Sequence, residues 1–379
     1  MVVAPDSFKG SLSAKGVGEA MKRGIHTVFP SAKVEVLPMA DGGEGTVDAL
    51  LYANNGKIEE VEVHGPMMER VMAKYGVFEK DGVQYAVIEC AESTGLTLVP
   101  YEMRNPMIAN SFGFGEVICD ALRKGYRHLI VTLGGSATND GGVGMLQALG
   151  WKFYNSAGDL ISPFEGNGLI HIVDFSVEDV LPALLECTIS IASDVMNPFY
   201  GENGAAFIFG PQKGANAEQV IELDDHLRRF SDLVKAKLGV DLQGIRGAGA
   251  AGGLGGAFAG CLGAKMKSGA ELVLNFTGAD EKIRGADLVF TGEGSLDSQS
   301  MFGKVPVGVA KLAKEHGVSV IGVAGRMDED TKPLNEYLDA VFSIQTQCRS
   351  LEDAMRSDVT KKQIEVTVEQ VCRVLGINN

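Results

Sequence analysis

The sequence has no Cys-x-x-Cys pair. Its six cysteines (Cys90, Cys119, Cys187, Cys261, Cys348, Cys372) lie far apart, mostly in apolar runs. That pattern excludes a disulfide framework and a dithiol redox motif, and it predicts small buried side chains in a reducing compartment. The six histidines show neither H-x-x-x-H nor H-x-x-E-H spacing, so a zinc site is not expected. No run of about 18 apolar residues occurs, which excludes a spanning helix, and no signal-peptide pattern is present, so the expected location is cytoplasmic. Basic residues are too few for a nucleic-acid or anionic-membrane face: 34 Lys and Arg stand against 49 Asp and Glu, a net charge of −15. A locally positive pocket for an anionic small molecule remains compatible with that balance. Repeats and low-complexity linkers are also missing.

Glycine, by contrast, is abundant: 49 residues of 379, about 13% against a usual share of about 7%. With no collagen-like period, the excess belongs to turns and ligand loops, and five short segments are crowded with residues drawn from Gly, Asp, Asn, Ser and Lys. These are Pro5–Ser11, Asp41–Thr46, Gly134–Gly142, Ser193–Pro198 and Thr291–Ser298, and four of them follow apolar stretches that read as strands. Glycine lets a backbone approach a ligand closely with bare N–H groups, and a helix starting just beyond adds partial positive charge. Together the segments predict a site for an anionic, phosphorylated small molecule.

Residue patterning places these segments in an α/β chain. A β-α-β-α opening (strands at Met1–Pro5 and Lys33–Leu37, helices at Leu12–Phe29 and Gly45–Ala53) gives way to three consecutive strands between Ile58 and Glu89, with an Asp81-Gly82 hairpin turn. Helix is expected at Gly115–Lys124, from about Asn139 to Leu149, at Ala217–Leu238 and across Ala248–Gly263; strand at His128–Leu133 and Thr188–Ala192. The opening rhythm resumes with strands at Ala286–Thr291, Val318–Ala324 and Ala340–Ser343. Two early and three late strands fit a flavodoxin-like doubly wound parallel sheet, with a large inserted second α/β domain carrying a mixed sheet. The expected limits are 1–60 plus 280–379 for the first domain and 61–279 for the insertion.

Each segment offers candidate chemistry beside a plain structural alternative. Lys9, between strand and helix, can hold a phosphate as a point charge; Asp6 can bind a metal or a hydroxyl, and Ser7 and Ser11 can cap. Asp41-Gly42-Gly43-Glu44-Gly45 holds more glycine than a helix cap requires. The amides of Gly134 and Gly135 with the Ser136 and Thr138 hydroxyls can cradle phosphate, the alternative being a long turn capped by Asn139 or Asp140. Asp194, beside Asn197-Pro198, can take a proton or bind Mg2+, or merely form an Asx-turn. Gly292-Glu293-Gly294 and Asp297 supply acid or metal candidates, and Gly303-Lys304 opens the next helix with a phosphate cation. This last arrangement is not a Walker A loop, because Val305 stands where Ser or Thr is needed. Gly247–Gly252 matches G-x-G-x-x-G but lacks the apolar strand that a dinucleotide fingerprint requires, which points to close packing.

Taken together, Ala4–Ser11, Met39–Thr46, Gly134–Gly150, Asp194–Pro198, Gly204–Ala206, Phe209–Ala215, Gly247–Gly256 and Thr291–Lys304 resemble the bacterial-type glycerate kinase family over nearly the whole chain. The resemblance implies phosphorylation of D-glycerate by ATP with Mg2+, with 2-phosphoglycerate favoured over 3-phosphoglycerate. On this reading Asp194, Lys9 and Lys304 are catalytic. Substrate and nucleotide contacts fall to Asp6, Ser7, Asp41, Gly42, Gly43, Glu44, Gly134, Gly135, Ser136, Thr138, Asn139, Asn197, Gly292, Glu293 and Gly294. Asp194, Glu293 and Asp297 are the metal candidates, and Asp41 competes for that role. The site is expected in the cleft between domains, at the C-terminal ends of the doubly wound strands. A homo-oligomer stays open. Two rivals are a nicotinamide- or flavin-dependent oxidoreductase acting on a small hydroxy acid and a non-catalytic organic-acid sensor.

Overall fold

A computed structural model describes residues 1–297 and 304–376. Ser298 and Gly303, at the two ends of the last ligand segment, lie outside the described residues. In chain order the strands are β1 (Val2–Pro5), β2 (Glu35–Val36), β3 (Lys57–His64), β4 (Arg70–Lys80), β5 (Val83–Glu89), β6 (His128–Thr132), β7 (Lys152–Tyr154), β8 (Asp174–Ser176), β9 (Thr188–Ala192), β10 (Lys265–Lys267), β11 (Leu288–Leu296), β12 (Ser319–Met327) and β13 (Ala340–Ser343). The chain divides into two compact units, Met1–Asn55 with Ser268–Asn379, and Gly56–Lys267.

In the first unit the sheet order is β2-β1-β11-β12-β13, all pairs parallel. Numbered within the unit, that is 2-1-3-4-5, the flavodoxin-like order, with its topological switch between β1 and β11. The helix Ala14–Val28 starts at Ser13, whose hydroxyl accepts from the N–H of Gly16, and buries Val17, Met21 and Ile25 at helical spacing. They meet Val3, Phe290 and Val323 from the sheet and Ile364 and Val368 from the helix Ser357–Gly376 in one core. Gly24 permits that helix contact, since a Cβ there would stand 2.7 Å from the Glu365 carbonyl oxygen.

The helix Gly269–Thr277, which apolar periodicity did not reveal, also belongs to this unit. It packs beside the helix Thr46–Asn54, with the Asn54 amide donating to Phe276 O at 3.2 Å. The unit limits therefore fall at 55/56 and 267/268, ahead of the expected 60/61 and 279/280.

The second unit holds a six-stranded mixed sheet in the order β10-β9-β6-β5-β4-β3. The pairs from β10 to β5 are parallel, and β5-β4-β3 is an antiparallel meander. The helix Phe112–Arg123 buries Phe114, Val117, Ile118 and Ala121 in the core with Leu129, Val131 and Ile189 of the parallel strands. A separate hairpin pairs β7 with β8. The long helix Ala217–Leu238 carries a complete capping box between Asn216 and Gln219 and ends at left-handed Gly239.

Two expectations need correction. Ala248–Gly263 is not one helix but a chain of short turns, broken by left-handed Ala251 and Gly252. Thr291–Leu296 is not a loop but the second half of β11, paired with β12 through Gly292↔Val323 and Glu293↔Ala324. Gly292 looks like a turn residue but answers a close approach. A Cβ on Gly292 would lie 2.0 Å from the Val323 carbonyl oxygen.

Candidate active site

In the first unit, the ends of β1 and β11 and the turn after β2 bring acids and lysines together. Asp6 follows β1, and its N–H donates to Gly292 O at 2.8 Å, tying the end of β1 to β11. Its carboxylate accepts the Ser7 N–H at 2.6 Å and is only 2% exposed. Burial, then the Asp41 carboxylate, pushes Asp6 up to about 7; Glu293 adds to the rise, while the Ser7 N–H and the Lys9 ammonium oppose it. Asp41 accepts the Gly43 N–H at 3.1 Å and pairs with Lys9 Nζ at 3.1 Å. Burial pulls Lys9 down, but the Asp41 carboxylate outweighs it and the ammonium titrates above its ordinary value. Glu293, 7% exposed, projects from β11 and faces Lys304 Nζ at 3.5 Å. Lys304 itself precedes the helix Val305–Glu315.

Lys9, Glu293 and Lys304, with Ser7 and Gly294, line one cavity of about 1000 Å3. The structure thus gathers Asp6, Ser7, Lys9, Asp41, Glu293, Gly294 and Lys304. Gly42 and Gly43 shape the turn that presents Asp41, and Gly42 adopts the left-handed φ of 88°. Glu44 instead lies exposed, and Asp297, beyond the end of β11, lies 3.4 Å from the Ser295 hydroxyl. Gly292 sits inside the β ladder, so its main chain serves the sheet.

In the second unit, the loop after β6 carries the other glycine segment. Gly134 and Gly135 are exposed, whereas Ser136, Thr138, Asn139 and Asp140 are buried. Asp140 proves structural. Its carboxylate accepts from Ser111 N (2.8 Å), Ser111 Oγ (2.7 Å), Gly142 N (3.0 Å) and Gly144 N (3.1 Å), and so fixes the start of the helix Val143–Ala148. That helix accordingly begins at Val143, not at Asn139. The Thr138 hydroxyl and both amide atoms of the Asn139 side chain are buried without a partner among the described residues.

Sequence reasoning missed Lys213. This lysine is 2% exposed and donates to Ser136 Oγ at 3.0 Å and Thr138 O at 2.6 Å. Burial pulls it down to about 8, against the attraction of Cys90 and Asp140. Lysine is almost never fully buried, so residue type argues for the surface; its place between Pro211 and Gly214 is the one local hint of constraint.

Asp194 follows the C-terminal end of β9 and is half-buried. Asn197 is committed to its own turn, donating to Asn203 O at 2.9 Å and accepting the Gly249 N–H at 3.0 Å through its carbonyl. The G-x-G-x-x-G match serves packing: Cβ atoms on Gly249 and Gly252 would lie 2.2 Å and 2.1 Å from the carbonyl oxygens of Pro198 and Thr138. Among the described residues no strand leads into it, so the βαβ unit of a nicotinamide or flavin site is not formed there. Among the described residues, no group of three or more His, Cys, Asp or Glu is arranged to hold a metal ion, and no helix is long and apolar enough to cross a membrane.

Comparison with known proteins places this geometry in context. The model of the glycerate kinase family matches residues 1–376. The chain is 45% identical to the glycerate 2-kinase of Escherichia coli K12, covering 94% of this chain and 93% of that one. It is 44% identical to a glycerate kinase of Bacillus cereus, covering 100% and 98%. Among solved structures, a candidate glycerate kinase 2 from Salmonella typhimurium LT2 superposes with a TM-score of 0.88 at 42% identity, covering 100% of this chain and 98% of that one.

Proposed function

This chain belongs to the glycerate kinase family, and we propose that it transfers the γ-phosphoryl group of ATP to a hydroxyl of D-glycerate. The observation that carries the reading is the pair of lysines, Lys9 and Lys304, each held by a carboxylate on the wall of one cavity at the C-terminal end of the doubly wound sheet. Phosphoryl transfer needs positioning and charge neutralisation more than covalent chemistry, and two fixed cations beside a nucleotide-sized cavity supply both.

In the proposed step the acceptor oxygen bonds to the γ-phosphorus as the bond to the bridging oxygen breaks and ADP leaves. Asp194, after β9 in the second unit, is the candidate to take the acceptor's proton, and Lys9 and Lys304, in the first unit, are the candidates to neutralise phosphate oxygens. The name of the E. coli relative supports the 2-hydroxyl as acceptor and 2-phosphoglycerate as product. Mg2+ fits the residues present. It is normally held by one or two carboxylates plus substrate phosphates, not by an all-protein cage. Asp6 and Glu293 would hold it; Asp6, pushed up by burial and neighbouring acids, is a carboxylate in want of a cation. A divalent cation held by these residues would supply neutralisation of the phosphate charge. Asp297 is left as a weaker metal candidate beyond the end of β11.

The test is ADP release with Mg-ATP in the presence and absence of D-glycerate. Release that depends on D-glycerate is expected. Release that ignores D-glycerate, or reduction of NAD+ or NADP+ by the same acid, contradicts the proposal.

A further inference from the structure

We infer that the cavity of the first unit is the nucleoside pocket of the phosphoryl donor, taking the purine and ribose of a nucleoside triphosphate. The inference rests on the kinase reading and adds to it which unit holds the donor. Size is the first argument. The cavity encloses about 1000 Å3, at the upper end of the roughly 300–1,000 Å3 usual for small-molecule sites. A three-carbon hydroxy acid would leave most of it empty, whereas a nucleotide fills it.

Chemistry is the second argument. Phe8, Ile344, Leu351 and Met355 give the wall an apolar stretch suited to a planar base, and Lys9 and Lys304 stand on the same wall. Met355 links the two characters, because its terminal methyl lies 2.8 Å from where a Cβ on Gly10 would be, directly over the Lys9 loop. The wall is also fixed in place. The Ser11 and Thr360 hydroxyls are 2.5 Å apart. The Gln345 amide donates to Gly325 O at 3.0 Å and accepts from Gln363 at 3.3 Å.

Position is the third argument. The cavity opens where β1 and β11 part at the switch in strand order, the crevice in which open α/β sheets take their ligands. Lys9, Lys304, Arg326 and Arg349 line the cavity and suit the phosphates of the donor, and Glu293, on the same wall, suits a metal-bound triphosphate.

Cys348 supplies the test. It lines the cavity and is exposed, whereas the other five cysteines are buried or half-buried. In the full-length protein, the rate of Cys348 alkylation by a maleimide is read by peptide mass spectrometry. The additions are the non-hydrolysable ATP analogue AMP-PNP with Mg2+, adenosine, or D-glycerate. Saturating analogue, with binding followed calorimetrically, and saturating adenosine should each slow labelling at least tenfold, and D-glycerate alone should not. The wall-filling variant Met355→Trp should raise the KM for ATP at least tenfold and leave the KM for D-glycerate unchanged.

Labelling at the free rate in nucleotide-saturated protein, or protection by D-glycerate alone, overturns the assignment. The two readings fail separately. Phosphorylation of D-glycerate with no nucleotide protection at Cys348 defeats the pocket and spares the kinase. Protection by adenosine without phosphorylation of D-glycerate does the reverse.

Discussion

Asp6→Asn should make the protein more stable and less active, and the gain in stability should grow with pH. Asp6 is buried, and its pKa rises from 3.8 to about 7 on folding. A raised carboxyl pKa means that the folded state binds the proton more tightly than the unfolded chain. Stability therefore falls as pH climbs between about 4 and 7, and the penalty is complete above the folded pKa. The rise is about three units, each worth about 1.4 kcal/mol, so the penalty at pH 8 is at most about 4 kcal/mol, and at pH 5.5 roughly 2 kcal/mol. Asparagine keeps the oxygen that accepts the Ser7 N–H and removes the charge. Urea denaturation of both proteins at pH 5.5 and pH 8 reads the difference. The midpoint of the variant should exceed that of the parent at both values, with the larger gap at pH 8. A variant that is equally stable or less stable, or a gap that does not widen with pH, refutes the claim that Asp6 is held at an energetic cost. Lost turnover in the same variant would tie that cost to function, as expected where a site carries charge that folding alone disfavours.

Asp194→Asn should lower kcat by about 10²–10⁴ with an unchanged melting temperature, the loss expected for a missing general base; near-normal turnover removes Asp194 from the mechanism. Lys304→Ala should raise the KM for ATP by roughly tenfold, about 1.4 kcal/mol of lost phosphate binding, and unchanged kinetics would make Lys304 a bystander. Gly269→Ala places a Cβ 2.0 Å from the Asp41 carbonyl oxygen and 2.5 Å from the Gly42 nitrogen. It should cost about 1–3 kcal/mol in thermal stability and disturb the turn that holds Lys9, so that the KM rises as well.

The flavodoxin-like sheet was legible because its strands are apolar runs punctuated by Gly, Asp and Pro, and two early plus three late strands allow few orders. The turn at Asp41 was legible for the same reason. Gly292-Glu293-Gly294 was not, because glycine reads alike whether it serves a turn or lets two strands approach; only the contact with Val323 separates the cases. Lys213 was hidden by its type, since no local pattern says that a lysine is buried. Asp140 sits among plausible ligand residues, and its role as the organiser of Ser111, Gly142 and Gly144 depends on a partner 29 residues away in sequence. The helix Gly269–Thr277 lacks a charged face to mark its period, and β7 and β8 are only 3 residues each. That Asn197 locks its own turn, donating to Asn203 O, likewise appears only in three dimensions.

The central claim is that D-glycerate is the acceptor and ATP the donor. It is tested most directly by ³¹P NMR of the products after the full-length protein has been incubated with Mg-ATP and D-glycerate. The account predicts ADP together with a new phosphomonoester resonance matching 2-phosphoglycerate. A spectrum with ATP intact, or with ADP and inorganic phosphate and no phosphorylated acid, would contradict it.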